Sequence, residues 1–211
     1  MLAELLLPDE GELRMESCRL EDGVVVIRAT ARQVTANCRQ CGTPSWRVHS
    51  HYQRTLADLP CTAFPLRLDW IVRRFFCDNS ECQQVTFTEQ IPDVAARYAR
   101  KTKRLANFQT QLAFALGGKP GARLARALGI EISSDTLLRL IRDAPDPEYP
   151  TPRVLGVDDW ALRKGQAYGT ILVDLEGRCP VDLIPKRSAD RLATWLKEHP
   201  GVEIVVNPNY K

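Results

Sequence analysis

Two close cysteine pairs hold the clearest chemistry in this sequence: Cys38-Arg-Gln-Cys41-Gly42 and Cys77-Asp-Asn-Ser-Glu-Cys82. Zinc prefers soft thiolates in a tetrahedron, and a short turn between two cysteines lets both sulfurs face one ion. Gly42 suits the left-handed turn from which backbone N–H groups reach the thiolates. The 35 residues between the pairs read largely as strands, which can return the chain so that the pairs meet, as in a zinc ribbon. Zinc at Cys38, Cys41, Cys77 and Cys82 is therefore expected. A redox Cys-x-x-Cys is the rival reading, but that motif sits between a strand and a helix, and both flanks here read as turn and strand. Ordinary buried cysteine accounts for Cys18, Cys61 or Cys179, but not for two close pairs. His49 and His51 are substitute ligands on type alone, and each reads more simply as a strand residue.

Positive charge is the second chemistry. From Arg100 to Asp143 there are nine Lys or Arg against three Asp or Glu. Such a block on helical sequence is either a phosphate-binding footprint or a solvated helix face. Pro120 to Leu128 followed by Ser134 to Arg142 reads as a helix-turn-helix, with Ala125 small enough for close crossing and Gly129 in the turn. Leu124, Leu128, Ile130, Leu137, Leu140 and Ile141 are the expected shared core. Arg123, Arg126, Arg139 and Arg142 stay outside, available to phosphates or base edges. The turn from Gly129 to Ser133 is longer than the tight form, and a three-helix bundle with no DNA role fits the same pattern.

The third candidate is a carboxylate. Val154-Leu-Gly-Val-Asp158-Asp159 is an apolar strand ending in two acids, and the pattern that follows reads strand, strand, helix, strand. That order fits the start of a ribonuclease H-like fold, in which an Asp on the first strand founds a two-metal site. Two divalent cations held against a phosphodiester require several carboxylates. A lone Asp at a strand end is otherwise a turn former.

The elements that must position these residues fall into segments. Residues 12–31 read as a hairpin, 46–58 as a strand, and 65–76 alternate apolar and polar, with a short strand at Val85 to Thr88. Helix formers then take over from Asp93 to Leu116, opened by Pro92 and closed by Gly117-Gly118. Four prolines in residues 144–153 favour an extended tether. The expected class is a multidomain α+β chain. It has a β-rich zinc-binding domain at 1–91 and a helix-turn-helix domain at 92–143. A Pro-rich linker at 144–153 leads to an incomplete ribonuclease H-like domain at 154–211.

With 211 residues, 44% of them hydrophobic and 26% charged, and a net charge of +3, the total composition names no partner. No apolar run approaches the ~18 residues of a membrane span. The apolar start from Met1 to Pro8 carries Glu4 and lacks the basic residues of a secretory signal. A cytoplasmic chain with reduced thiols is expected, which again favours metal over disulfides.

The whole chain resembles the ISL-three family of bacterial insertion-sequence transposases. The matching stretches are Cys38-Arg-Gln-Cys-Gly-Thr-Pro-Ser, Val72-Arg-Arg-Phe-Phe-Cys-Asp-Asn and Gly121-Ala-Arg-Leu-Ala-Arg-Ala-Leu-Gly. Beyond the linker they are Leu155-Gly-Val-Asp-Asp-Trp-Ala-Leu-Arg-Lys-Gly, Tyr168-Gly-Thr-Ile-Leu-Val-Asp-Leu and His199-Pro-Gly-Val-Glu. The resemblance implies a structural zinc ribbon, a helix-turn-helix that binds double-stranded DNA at the element's ends, and a DDE catalytic domain with Asp158 as its first Asp. The family's second Asp follows the strand at Glu203 to Val206, where this sequence reads Val206-Asn-Pro-Asn-Tyr-Lys, and Pro208 stands near the expected acid. The final Glu has no counterpart. The implied protein is a C-terminally truncated transposase, inactive by itself, with Mg²⁺ or Mn²⁺ belonging to a complete homologue. Its implied setting is the nucleoid, as a homo-oligomer or mixed with full-length transposase. A non-enzymatic regulator of transposition and a zinc-stabilised interaction module are the alternatives.

Overall fold

A computed structural model describes residues 6–8, 11–62, 64–145, 149–163 and 167–207. The chain divides into two compact units, Met1–Ala144 and Pro145–Lys211.

The first unit is built on a sheet of β1 (Leu13–Glu21), β2 (Val24–Ala31), β6 (Phe64–Phe76) and β5 (Val48–Cys61), in that order, with β7 (Thr86–Thr88) added to β6. Asp22 and Gly23 both have positive φ, 49° and 78°, the combination a two-residue hairpin turn demands between β1 and β2. Strand alternation on β6 sends Leu66, Leu68, Trp70 and Val72 into a core shared with Leu13, Ile27, Ala29 and Leu56. Near the end of β6, Phe75 joins a second, smaller core with Phe87 and Cys38. Two very short strands, β3 (Ala36–Asn37) and β4 (Pro44–Ser45), pair with each other beside it.

Three helices complete this unit: α1 (Lys103–Leu116), α2 (Lys119–Ala127) and α3 (Ser134–Arg142). The sequence led us to expect the first helix from Asp93, and it starts ten residues later. Val94 and Ala95 are drawn into the core of the sheet, and the chain then runs along β5, with Ala57 N–H donating to Arg100 C=O and Thr102 N–H to Ala57 C=O. Tertiary packing overrides helix propensity here. Thr102 caps α1 through Leu105 N–H, and Ser133 caps α3 through Thr136 N–H.

A buried ion pair fastens α1 to the sheet. The Arg104 guanidinium donates to both Asp58 carboxylate oxygens, at 2.8 and 2.7 Å, and to the Leu6 and Leu7 carbonyls. Thr102 Oγ1 donates to the same carboxylate at 2.6 Å. The Asp58 side chain is completely buried.

The second unit is a four-stranded sheet in the order β10 (Cys179–Ile184), β9 (Ala167–Asp174), β8 (Val154–Arg163), β11 (Ile204–Val206). β8, β9 and β10 are antiparallel neighbours, and β11 returns parallel to β8 after helix α4 (Ala189–Glu198). Leu155, Val157, Leu172, Ile184 and Trp195 form its core. Among the described residues no helix is long and apolar enough to cross a membrane.

Candidate metal centre and nucleic-acid interface

The first cysteine pair sits in the tight connection between β3 and β4. Cys38 N–H donates to Thr43 C=O, and Gly42 N–H to Cys38 C=O, closing the loop around both sulfurs. Gly42 takes φ 75°, the left-handed conformation that a side chain would strain. The second pair follows β6 directly. Cys77 N–H donates to Val85 C=O, Cys82 N–H to Asn79 C=O, and the Asn79 side chain accepts from Glu81 N–H. Each pair is therefore held by its own backbone turn, and the sheet brings the turns together.

The four sulfurs all lie within 4.8 Å of one another, with Cys41 to Cys77 at 3.6 Å and Cys38 to Cys82 at 3.9 Å. A tetrahedral Zn–S distance of ~2.3 Å requires sulfur–sulfur edges of about 3.8 Å. Cys38, Cys41, Cys77 and Cys82 can thus hold one such ion with little rearrangement. Their protonation is mutually constrained. The Thr43 hydroxyl and backbone pull the Cys41 thiol down to about 6. The Asn79 backbone acts in the same direction on Cys77, but burial and the neighbouring thiols outweigh it and push Cys77 up to about 12. Four thiols this close cannot all ionise without a cation among them.

Around the sulfurs the packing is aromatic. Phe75 and Phe87 stack with ring centroids 5.8 Å apart beneath Cys38. Arg47 pairs with Asp78 at 2.6 Å and lies over the Phe76 ring. His49 meets Phe76 edge-on and His51 lies further along β5; neither belongs to the sulfur group. Cys18, Cys61 and Cys179 also lie outside it.

In the helical part, α2 and α3 pack closely because of a residue that sequence reading passed over. A Cβ on Gly121 would stand 2.9 Å from Leu137 Cδ1, so a larger residue there would force the buried Leu137 side chain to shift. Ala125, Ile130 and Leu137 are buried as expected, whereas Leu124 and Leu128 are 43% and 44% exposed. The turn after α2 explains the difference: Gly129 takes φ 79°, and Ile130 N–H returns to Ala125 C=O, so Ile130 fills the place a leucine would have taken. Arg123 and Arg126 on α2, and Arg139 and Arg142 in the last turn of α3, are all exposed. Lys101 adds to this positive field: burial first, and then the nearby charge of Arg139, lower its pKa. Its ammonium group donates to Gln109.

Asp158 lies on β8 opposite Ile171 of β9 and accepts from Asp159 N–H at 2.7 Å. Asp159 pairs with Arg187 at 2.8 Å. Asp174 is opposite Leu155, about 10 Å along the strand from Asp158 at ~3.3 Å per residue. Its carboxylate accepts from Glu176 and Gly177 N–H to form the hairpin turn. Among the described residues, the four cysteines are the one group of three or more acids, histidines or cysteines close enough to share an ion. Asn207 closes the described chain, so the position of Pro208 lies outside it.

Known proteins agree with this geometry. Residues 35–82, which contain all four clustered cysteines, match the family described as the zinc-finger of transposase IS204/IS1001/IS1096/IS1165. Over 176 residues the chain is 26% identical to the transposase for insertion sequence element IS1001 of Bordetella parapertussis. That match takes in 83% of this chain and 42% of the relative, so the chain spans about two fifths of the curated protein it resembles. In its zinc-ribbon segment, and along most of its length to this relative, the chain is similar to insertion-sequence transposases.

Proposed function

We propose that this chain is the DNA-binding portion of an insertion-sequence transposase. Residues 1–91 form a zinc-held β module, 92–143 a helix-turn-helix unit and 144–153 a linker. From Val154 the chain opens a ribonuclease H-like domain with Asp158 as its first catalytic carboxylate. The observation that carries this reading is the four-sulfur group itself, placed within the stretch that matches a transposase zinc-finger. Cys38, Cys41, Cys77 and Cys82 would hold one structural zinc, which locks the two turns together and so fixes the ends of β6 and β3.

Duplex DNA is met by α2 and α3. The close Gly121–Leu137 crossing sets their angle, and Arg123, Arg126, Arg139 and Arg142 supply charge to phosphates and base edges. The β10-β9-β8-β11 order, with β11 parallel to β8 through α4, supports the ribonuclease H-like assignment. The described residues do not by themselves suit a pair of catalytic divalent ions. Such ions need several converging carboxylates, and Asp159 and Asp174 are committed to Arg187 and to the hairpin turn. Transposition is therefore assigned to the whole protein that the longer relative represents, acting in the cytoplasm on nucleoid DNA. Titrating labelled duplex DNA with zinc-loaded protein at rising salt tests the reading. Affinity that is absent or indifferent to salt overturns it.

A further inference from the structure

The helices are not the only basic surface. A trough of about 840 Å³ runs between the Cys38–Cys41 turn, the stretch of β5 and β6 that carries Tyr52, Arg54 and Arg74, and the loop at 96–99. Arg39, Arg54, Arg74 and Arg97 line it together with Tyr52 and Tyr98, and among the described residues no Asp or Glu does. On β6 the neighbouring arginines separate cleanly. Arg73 turns to the buried Glu89, which accepts two of its N–H groups at 2.6 and 3.0 Å. Arg74 lies on the other face, past the edge of the core at Val72, and lines the trough. Neither Arg39, Arg74 nor Arg97 makes an ion pair among the described residues; Arg97 instead lies over the Tyr98 ring, 4.5 Å from its centroid.

Tyr98 is held there at a cost. Its φ of 61° is left-handed, a conformation bulky residues rarely adopt, and its side chain is 79% exposed. The ring itself stays out of the core, while Ala95 and Ala99 on either side of it pack there. Arg54 maintains it: one guanidinium nitrogen donates to the carbonyls of Ala96 and Ala99, at 2.7 and 3.0 Å, clamping the loop at both sides of Tyr98, while its plane rests over Trp70. Backbone strain of this kind clusters at ligand sites, and here it presents an exposed ring beside cations that make no ion pair among the described residues.

We infer that this trough binds a short run of single-stranded DNA. Unpaired arginines without opposing acids select a polyanion, and exposed aromatic rings among them are the stacking platform that unpaired bases require and a closed duplex cannot use. The volume falls within the ~300–1,000 Å³ of sites that bury small ligands, which suits a few nucleotides of one strand and not a double helix. The phosphates lie on Arg39, Arg74 and Arg97, and a base stacks on Tyr98, with Tyr52 beyond it. Arg54 is a positioning residue. The inference rests on the proposal that the chain acts on DNA, but it assigns a second site, distinct from α2 and α3.

The test is fluorescence anisotropy on zinc-loaded protein with two probes, a labelled oligothymidylate and a labelled duplex. Tyr98→Ala should weaken oligothymidylate binding by roughly 5- to 150-fold, the range of one lost stacking contact; the Arg74→Ala/Arg97→Ala pair should weaken it too and lower its salt dependence by about 0.7 per lost phosphate contact, and both should leave the duplex within twofold. Tyr98→Phe should bind as the parent does. Tyr98→Gly should raise Tm, by relieving the left-handed strain, while weakening the single strand as much as Tyr98→Ala. Oligothymidylate affinity unchanged by all of these, or weakened equally with the duplex, overturns the trough. Loss of duplex affinity alone in Arg139→Ala/Arg142→Ala leaves the trough standing, and a parent that binds neither probe overturns both sites.

Discussion

The sulfurs of Cys41 and Cys77 lie 3.6 Å apart although 36 positions separate them in the chain. That distance, between cysteines on separately hydrogen-bonded turns, matches the sulfur–sulfur edge of a tetrahedral zinc site. Purified protein should carry about one zinc per chain. Cys41→Ser should lose the metal and unfold the region around Phe75 and Phe87, whereas Cys61→Ser, outside the cluster, should keep it. Metal-free protein that is folded after preparation without chelator contradicts the assignment.

Duplex binding should map to the second and third helices. Replacing Arg139 and Arg142 with Ala removes two exposed cations from the last turn of α3. If both meet phosphates, the slope of log affinity against log salt should fall by about 0.9 per contact, or roughly two units for the pair. An unchanged slope removes these residues from the interface.

The Asp58–Arg104 pair predicts a stability effect outside the cysteine cluster. Asp58→Ala leaves the guanidinium without its carboxylate and strips Thr102 of the acceptor for its hydroxyl. Breaking a buried pair costs roughly 3–5 kcal/mol. Arg104 retains 29% side-chain exposure, so water recovers part of the loss. The expected destabilisation is about 3 kcal/mol, a fall in Tm of roughly 6–12 °C. Calorimetry decides it, and a shift under 2 °C, on the order of the error in the conversion, would mean the pair is not what anchors α1.

These interactions divide by how far they reach in sequence. The cysteine pairs were legible because each is local: a three-residue or five-residue spacing already determines which way the sulfurs turn. The strands and the caps at Ser133 and Gly117 were legible for the same reason, since alternation and capping are read within a few residues. Asp58 and Arg104 were not, because nothing around either residue announces a partner 46 positions away. The start of α1 was misplaced for a related reason. Val94 and Ala95 are acceptable helix residues, and only the apolar face of the sheet explains why they leave the helix. Tyr98 was invisible altogether, since its interest lies in a backbone angle and in the Arg54 clamp.

Asp158 yields a prediction of silence. With Mg²⁺ or Mn²⁺ and DNA carrying the element's ends, the 211-residue chain should neither cut nor join strands, and Asp158→Ala should leave that result unchanged. Loss of a single electrostatic stabiliser commonly costs about a hundred- to a thousand-fold in rate, and the described residues gather no group of three acids around Asp158 to hold the ions. Metal-dependent cleavage that disappears in Asp158→Ala would show that acids from elsewhere, such as a second copy of the chain, complete the site.

The central claim is a DNA-binding chain whose architecture depends on one zinc. A salt-series titration of labelled duplex DNA, run side by side on protein carrying one zinc and on protein stripped of it, tests this most directly. The account predicts that the zinc-loaded chain binds with affinity falling steeply as salt rises, about 0.9 log units per log unit of salt for each phosphate contacted. It predicts that the stripped protein loses ordered structure around β3, β4 and the end of β6, and regains it when zinc is restored. A zinc-loaded, folded chain with no salt-dependent affinity for duplex DNA would contradict the account.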